Sequence, residues 1–156
     1  MKITTLCYIS NGEHTLMLYR NKKENDENEG KWIGIGGKLE DGESPDDCVK
    51  REVFEETGIV PESFSFRGIV TFVSDVWGTE YMCLYTARSR DKSFHECSEG
   101  ELSWVETKKI GDLSLWEGDR VFLNLLNKGR PFFSLKLNYE GDNLVSAVLD
   151  GEILDI

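Results

Sequence analysis

Apolar residues along this chain fall into short runs of two periods, and the periods divide it into strands and helices. The β-prone run Ile3 to Ile9, the turn Ser10-Asn11-Gly12 and the run Thr15 to Tyr19 predict a hairpin. Phe64 to Ser74 and Tyr81 to Arg88 predict two further strands around a loop holding Asp75, Trp77 and Gly78, and Leu102 to Val105 a short one. Phe132 to Tyr139 and Leu144 to Leu149 flank Glu140-Gly141-Asp142-Asn143, a turn signal that predicts a terminal hairpin. A helical period begins at Ser44, which suits an N-cap, with Pro45 at the first helical position and Asp46 and Asp47 facing the positive end of the helix dipole. Val49 and Val53 share its apolar stripe, and Gly58 with Pro61 beyond should end it. Asp119 is expected to cap a second helix running to about Asn127, whose Val121, Phe122, Leu125 and Leu126 make an apolar face. The pattern is that of an α+β fold, a mixed β-sheet between helices in an α/β/α sandwich, formed by one domain over 1–156.

Composition narrows the class. The net charge of −11, from 29 acidic and 18 basic residues, opposes a polymeric nucleic acid partner, whose affinity comes from Lys and Arg contacts to phosphate. A small nucleotide remains admissible if a metal neutralises it. The amino-terminal MKITTLCYIS has no basic stretch followed by a long apolar core, and no run reaches the length of a membrane span. A cytoplasmic, monomeric protein without a membrane partner is expected. Cys7, Cys48, Cys83 and Cys97 lack the C-x-x-C spacing of a metal or redox site and read as buried thiols.

The candidate chemistry lies between Gly37 and Ile59. On the first helix Glu52, Glu55 and Glu56 fall within an arc of about 100°. Like charges at that spacing cost a few tenths of a kcal/mol per pair, roughly, and a purely structural helix has little reason to carry them. Oxygen-only clusters suit hard cations such as Mg²⁺, which shares its shell with water and substrate phosphate. Upstream, Lys31-Trp32-Ile33-Gly34-Ile35-Gly36-Gly37 has the glycine density that lets backbone approach a ligand.

The stretch GKLEDGESPDDCVKREVFEETGI resembles the Nudix box, G-x5-E-x7-R-E-U-x-E-E-x-G-U with U aliphatic. Gly37, Glu43, Arg51, Glu52, Val53, Glu55, Glu56, Gly58 and Ile59 fill every specified position. The resemblance implies a Nudix-type sandwich and a cleavage of a nucleoside polyphosphate that depends on Mg²⁺, with Mn²⁺ as its alternative. It assigns the metal to Glu52, Glu55, Glu56 and the carbonyl of Gly37. Glu55 or Glu56 takes the proton of the attacking water, and Arg51 orients a motif carboxylate with Glu43 as its partner. A further acid is expected from a later loop, and Glu99 is the candidate; Glu96 and His95 read as solvated surface residues.

Outside the box the chain resembles the MutT-type 8-oxo-dGTP diphosphatases, the branch that includes the human enzyme and relatives from Gram-positive bacteria. The resemblance rests on Gly30-Lys31-Trp32, Gly34, Gly36-Gly37-Lys38, Phe72 and Leu115-Trp116-Glu117-Gly118-Asp119. It implies that Trp116 stacks on a purine, that Asp119 reads the purine edge, and that Phe72, Lys38 and Ile33 line the same site. Ile33 is a departure, because the human-type enzymes have a polar amide there that Ile cannot replace. An 8-oxo-dGTP hydrolase that sanitises the nucleotide pool, a DNA-repair role, is the leading expectation. Another Nudix substrate (a different dNTP, ADP-ribose or an RNA 5′ end) and a non-catalytic nucleotide sensor are its alternatives.

Overall fold

The computed structural model describes residues 1–156, and each expected strand and helix is present with boundaries moved by a few positions. In chain order the strands are β1 (Lys2–Asn11), β2 (His14–Arg20), β3 (Trp32–Ile33), β4 (Ser63–Ser74), β5 (Gly78–Arg88), β6 (Gly100–Glu106), β7 (Phe133–Glu140), β8 (Asn143–Leu149) and β9 (Glu152–Ile153). Helix α1 (Pro45–Thr57) precedes β4, and a 3₁₀ turn (Thr107–Asp112) and helix α2 (Glu117–Asn127) follow β6. The strands form one sheet in the order β3-β2-β1-β5-β4-β7-β8-β9, with β6 also paired to β2. The β1–β5 and β4–β7 pairs are parallel and the others antiparallel, so the sheet is mixed.

Both faces of the sheet centre are covered, which explains why β1 reads as an unbroken apolar run. Its Cys7 and Ile9 face α1, where Val49 and Val53 join Cys83 and Tyr85 in one core. Its Leu6 and Tyr8 face the other way, into a core with Phe122 of α2, Val70 and Leu84. Full burial of each valine contributes about 1.5–3 kcal/mol. All four cysteines are free and buried. No helix is long and apolar enough to cross a membrane.

The caps of α1 follow the sequence expectation. The Ser44 hydroxyl accepts from the Asp47 N–H at 3.0 Å while the Asp47 carboxylate accepts from the Ser44 N–H at 3.0 Å, a reciprocal capping box. Gly58 ends the helix at φ 76°.

Three features differ from expectation. Asp119 does not cap α2: the N-cap is Trp116, and Asp119 is the third helical residue, buried against the core. The Gly118 N–H, a donor of the kind a capping side chain satisfies, instead donates to the Tyr139 hydroxyl at 2.6 Å, so a distant strand caps the helix. The two-residue β9 and the 3₁₀ turn carry no period from which either could be read. Finally, the glycine-dense segment is an ordered layer rather than a free loop. The β1–β2 hairpin separates after the pairs from Ile9–Leu16 to Asn11–His14, and the segment fills the side of β1 that β2 leaves. Ile35 exchanges backbone bonds with Cys7 at 2.9 and 2.7 Å, and Thr5 N–H donates to the Gly37 carbonyl at 2.9 Å.

Gly36 is where the two backbones come closest, since a Cβ there would lie 1.9 Å from the Thr5 carbonyl oxygen. Gly36→Ala must push the segment off β1. We expect a loss of about 1–3 kcal/mol in urea unfolding, the usual cost of overpacking, and an unchanged midpoint would refute the contact.

Candidate active site

The start of α1 and the loop before it meet at Arg51. Its Nε and Nη2 donate to the two oxygens of Glu43 at 2.7 and 2.9 Å, a bidentate pair. Its Nη1 donates to Glu52 at 2.8 Å and to Glu55, four residues on, at 3.2 Å, while Nη2 also reaches the Lys38 carbonyl at 3.2 Å. The guanidinium holds the Glu43 carboxyl down to about 2, and the surrounding carboxylates push Arg51 up. Like charges on one helix face are thus bridged by a single cation. Gly37 lies flat against Glu52, because a Cβ there would come within 2.6 Å of that carboxylate. One lone pair of the Gly37 carbonyl is taken by Thr5, and the other side of the oxygen is open to a weak contact from Cys48 Sγ at 3.7 Å.

The three helix glutamates do not share one environment. Glu55 points outward with 57% of its side chain exposed, Glu52 is at 15%, and Glu56 is buried. Glu56 Oε2 has no hydrogen-bond partner. Burial first, and then Glu99 and Glu52 beside it, raise the Glu56 pKa well above the usual carboxylate range. Glu99, from the segment before β6, is held by Arg20 Nη1 at 2.9 Å. No three His, Cys, Asp or Glu side chains converge closely enough to enclose an ion, because Arg51 spans Glu52 and Glu55 and Glu55 faces outward. An orphaned carboxylate oxygen beside two further carboxylates is nevertheless short of positive charge, and the donors are all oxygen. That set fits a hard divalent cation.

A cleft of about 620 Å³ runs from these carboxylates to the amino-terminal end of α2. Gly37, Lys38, Glu52 and Glu99 line one end; Ile33, Phe72, Trp116 and Asp119 line the other. Arg51, Glu55 and Glu56 do not line it. Tyr139 packs edge-on to Trp116 at 5.4 Å and stacks with Phe72 at 6.4 Å, and the Lys31 ammonium sits 5.2 Å from the Trp116 ring centre. The Trp116 indole N–H donates to Asn28 Oδ1 at 2.9 Å. Asp119 is 4% exposed and its carboxyl makes no hydrogen bond, so burial, with Glu80 nearby, pushes its pKa up to about 8.

Arg20, Asn28, Glu80 and Tyr139 also line this cleft without having been picked out from sequence. For two of them a signal existed. Arg20 falls on the period-2 face of Leu16 and Leu18, where a charge is out of place, and Tyr139 continues the inward face of Phe133, Leu135 and Leu137. Asn28 and Glu80 carried none.

The Asp119 environment makes a pH prediction. Its folded value of about 8 lies above the 3.8 of an exposed carboxyl, so the group contributes stability that is complete at acid pH and declines as pH rises through that window. Asp119→Asn has no proton to lose. We expect its melting temperature to gain on wild type as the buffer moves from about pH 4.5 to about pH 8.5, and a pH-independent difference would contradict the burial of this carboxyl.

Comparison with known proteins places this geometry. Residues 2–126 match the NUDIX domain family model. The chain is 32% identical over 152 residues to the uncharacterized Nudix hydrolase YvcI of Bacillus subtilis (strain 168), covering 94% of this chain and 92% of that protein. It is 30% identical over 105 residues to the oxidized purine nucleoside triphosphate hydrolase of Mus musculus, covering 66% of this chain and 67% of that one. Among solved structures, the mMutator MutT protein from Bacillus halodurans superposes with a TM-score of 0.85 at 26% identity, over 97% of this chain and 99% of that one. With an intact box on α1 and this fold, the chain belongs to the Nudix hydrolase family.

Proposed function

We propose that the chain hydrolyses an oxidised purine nucleoside triphosphate, 8-oxo-dGTP or a close relative, to the monophosphate and pyrophosphate, and so sanitises the nucleotide pool. The observation that carries this reading is a single cleft with a carboxylate end at Glu52 and Glu99 and an aromatic, acidic end at Trp116 and Asp119. The activity for which the mouse relative is named supports it.

Glu52, Glu55, Glu56 and the Gly37 carbonyl are the groups that would hold Mg²⁺ or Mn²⁺. When bound, the cation supplies positive charge to the phosphate oxygens and acidifies a water. The chain's own residues do the rest. Arg51 orients Glu52 and Glu55 through its bonds to both. Lys38, on the cleft wall and in no ion pair, offers a cation to the polyphosphate. The water proton goes to Glu55, Glu56 or Glu99, and Glu56 stands beside Glu99 with one oxygen free of any hydrogen bond. Trp116 presents a ring face to the purine, locked by Asn28 behind it. Asp119, with a pKa near 8, is protonated at neutral pH and presents both an O–H donor and a carbonyl acceptor to the base edge. Ile33 adds apolar surface and no hydrogen bond, which favours a looser choice among oxidised purines than an amide there would impose.

Turnover of 8-oxo-dGTP beside dGTP, ADP-ribose, a dinucleoside polyphosphate and a triphosphorylated RNA, run in ¹⁸O-labelled water, tests the class. Preference for the oxidised triphosphate with label in the pyrophosphate, from attack at the β phosphorus, is expected. No preference for any triphosphate would sink the reading. Glu56→Gln should lower kcat at least about a hundredfold, as removal of a metal ligand or base does. A wild type inactive on every nucleotide would favour a sensor instead.

A further inference from the structure

Between the two ends of the cleft stands one carboxylate that neither end uses directly. Asp26 lies in the loop joining β2 to β3, and each of its oxygens has a different partner. Oδ2 accepts from Arg20 Nε at 2.7 Å, and Oδ1 accepts from the Asn28 backbone N–H at 3.1 Å. Arg20 goes on to Glu99 through Nη1 at 2.9 Å, and Asn28 goes on to the Trp116 indole N–H at 2.9 Å. The connected order is Glu99, Arg20, Asp26, Asn28, Trp116.

The chain is built rather than incidental. Arg20 and Asp26 are 9% and 6% exposed, far drier than a surface ion pair, so each charge requires the other. The loop is closed at its base by Gly30 N–H to Arg20 carbonyl at 2.9 Å and Arg20 N–H to Lys31 carbonyl at 3.0 Å. Asn25 adopts φ 54°, a left-handed conformation that asparagine tolerates, immediately before Asp26. A planar guanidinium is the one side chain that can donate to Asp26 and Glu99 at once along fixed directions.

We propose that Arg20 and Asp26 are positioning residues for the reaction: Asp26 fixes Arg20, which holds the Glu99 carboxylate against Glu56, and the same Asp26 sets the Asn28 support of Trp116. Base recognition and the carboxylate cluster are thereby held in one register by a single loop. The inference rests on the hydrolase reading for the reaction it serves.

The test separates the two branches. In Asp26→Asn the amide still accepts from the Asn28 N–H but no longer neutralises Arg20. We expect kcat to fall about tenfold or more with KM within about threefold, while Asn28→Ala raises KM by a similar factor and spares kcat. Arg20→Met should lower kcat in the wild-type background and lower it no further in Glu99→Gln, since its effect on kcat runs through that residue. If Arg20→Met does not fold, Arg20→Lys replaces it, keeping charge but losing the two-way fork. A readout without turnover is the Trp116 indole N–H resonance, identified among the 4 tryptophans by its loss in Trp116→Phe. It should shift in Arg20→Met, although Arg20 does not touch Trp116.

An active wild type with Asp26→Asn and Arg20→Met at wild-type rates, or with additive losses in the Arg20–Glu99 cycle, overturns the inference and leaves the hydrolase reading standing. A wild type inactive on every nucleotide removes that reading, and the register then stands or falls on the indole shift alone: movement supports it and a fixed resonance overturns it.

Discussion

Negative charge crowded into a half-dry space is the constraint on which the rest of this molecule depends. Glu52, Glu56 and Glu99 stand together at one end of the cleft, with Glu43 and Glu55 close behind, in a chain that already carries a net charge of −11. Two arginines make that arrangement tolerable. Arg51 ties the loop before α1 to the helix through Glu43 and Glu52. Arg20 ties β2 to the segment entering β6 through Glu99. Neither arginine hydrogen-bonds Glu56, whose free oxygen is the residual deficit, and a divalent cation is the charge that would fill it.

The sheet is arranged to bring these pieces together. Parallel pairing of β1 with β5 puts the amino terminus of the chain in the sheet centre, so the segment along its vacated side approaches α1 from the strand side. Parallel pairing of β4 with β7 then brings Phe72 level with Leu137 and sets Tyr139 against Trp116. The aromatic end of the cleft therefore comes from four distant stretches of chain, whereas the carboxylate end comes mainly from one.

That difference decides what could be read from sequence. Helix α1 was legible to the residue because its caps, its apolar stripe and its i,i+4 ion pair are local, and local chemistry is written in adjacent letters. The Arg51–Glu43 pair and the candidacy of Glu99 both followed from the family resemblance. Asn28 was missed because its side-chain partner Trp116 lies 88 residues away, and such a contact has no local signature; Arg20 stood out only as a charge on an apolar face, which does not point to Glu99, 79 residues on. Asp119 misled for a related reason. It has the composition of a cap, but the Tyr139 hydroxyl already serves Gly118, which leaves the carboxyl free to turn into the cleft. Strand β3 was read as part of a glycine-dense, ligand-approaching loop because its pairing depends on β2 ending its contact with β1 early.

The seam between the glycine segment and β1 involves main-chain atoms alone, with Gly34 and Gly36 pressed against the carbonyls of Cys7 and Thr5. Beyond the two glycines themselves, side-chain identity hardly enters those hydrogen bonds. Ile33 lines the cleft from the same segment while its side chain also closes the core beneath α1. In such a scaffold an apolar replacement at residue 33 reshapes one wall of the cleft and leaves the backbone around Gly37, and the carboxylates of α1 against it, where they are.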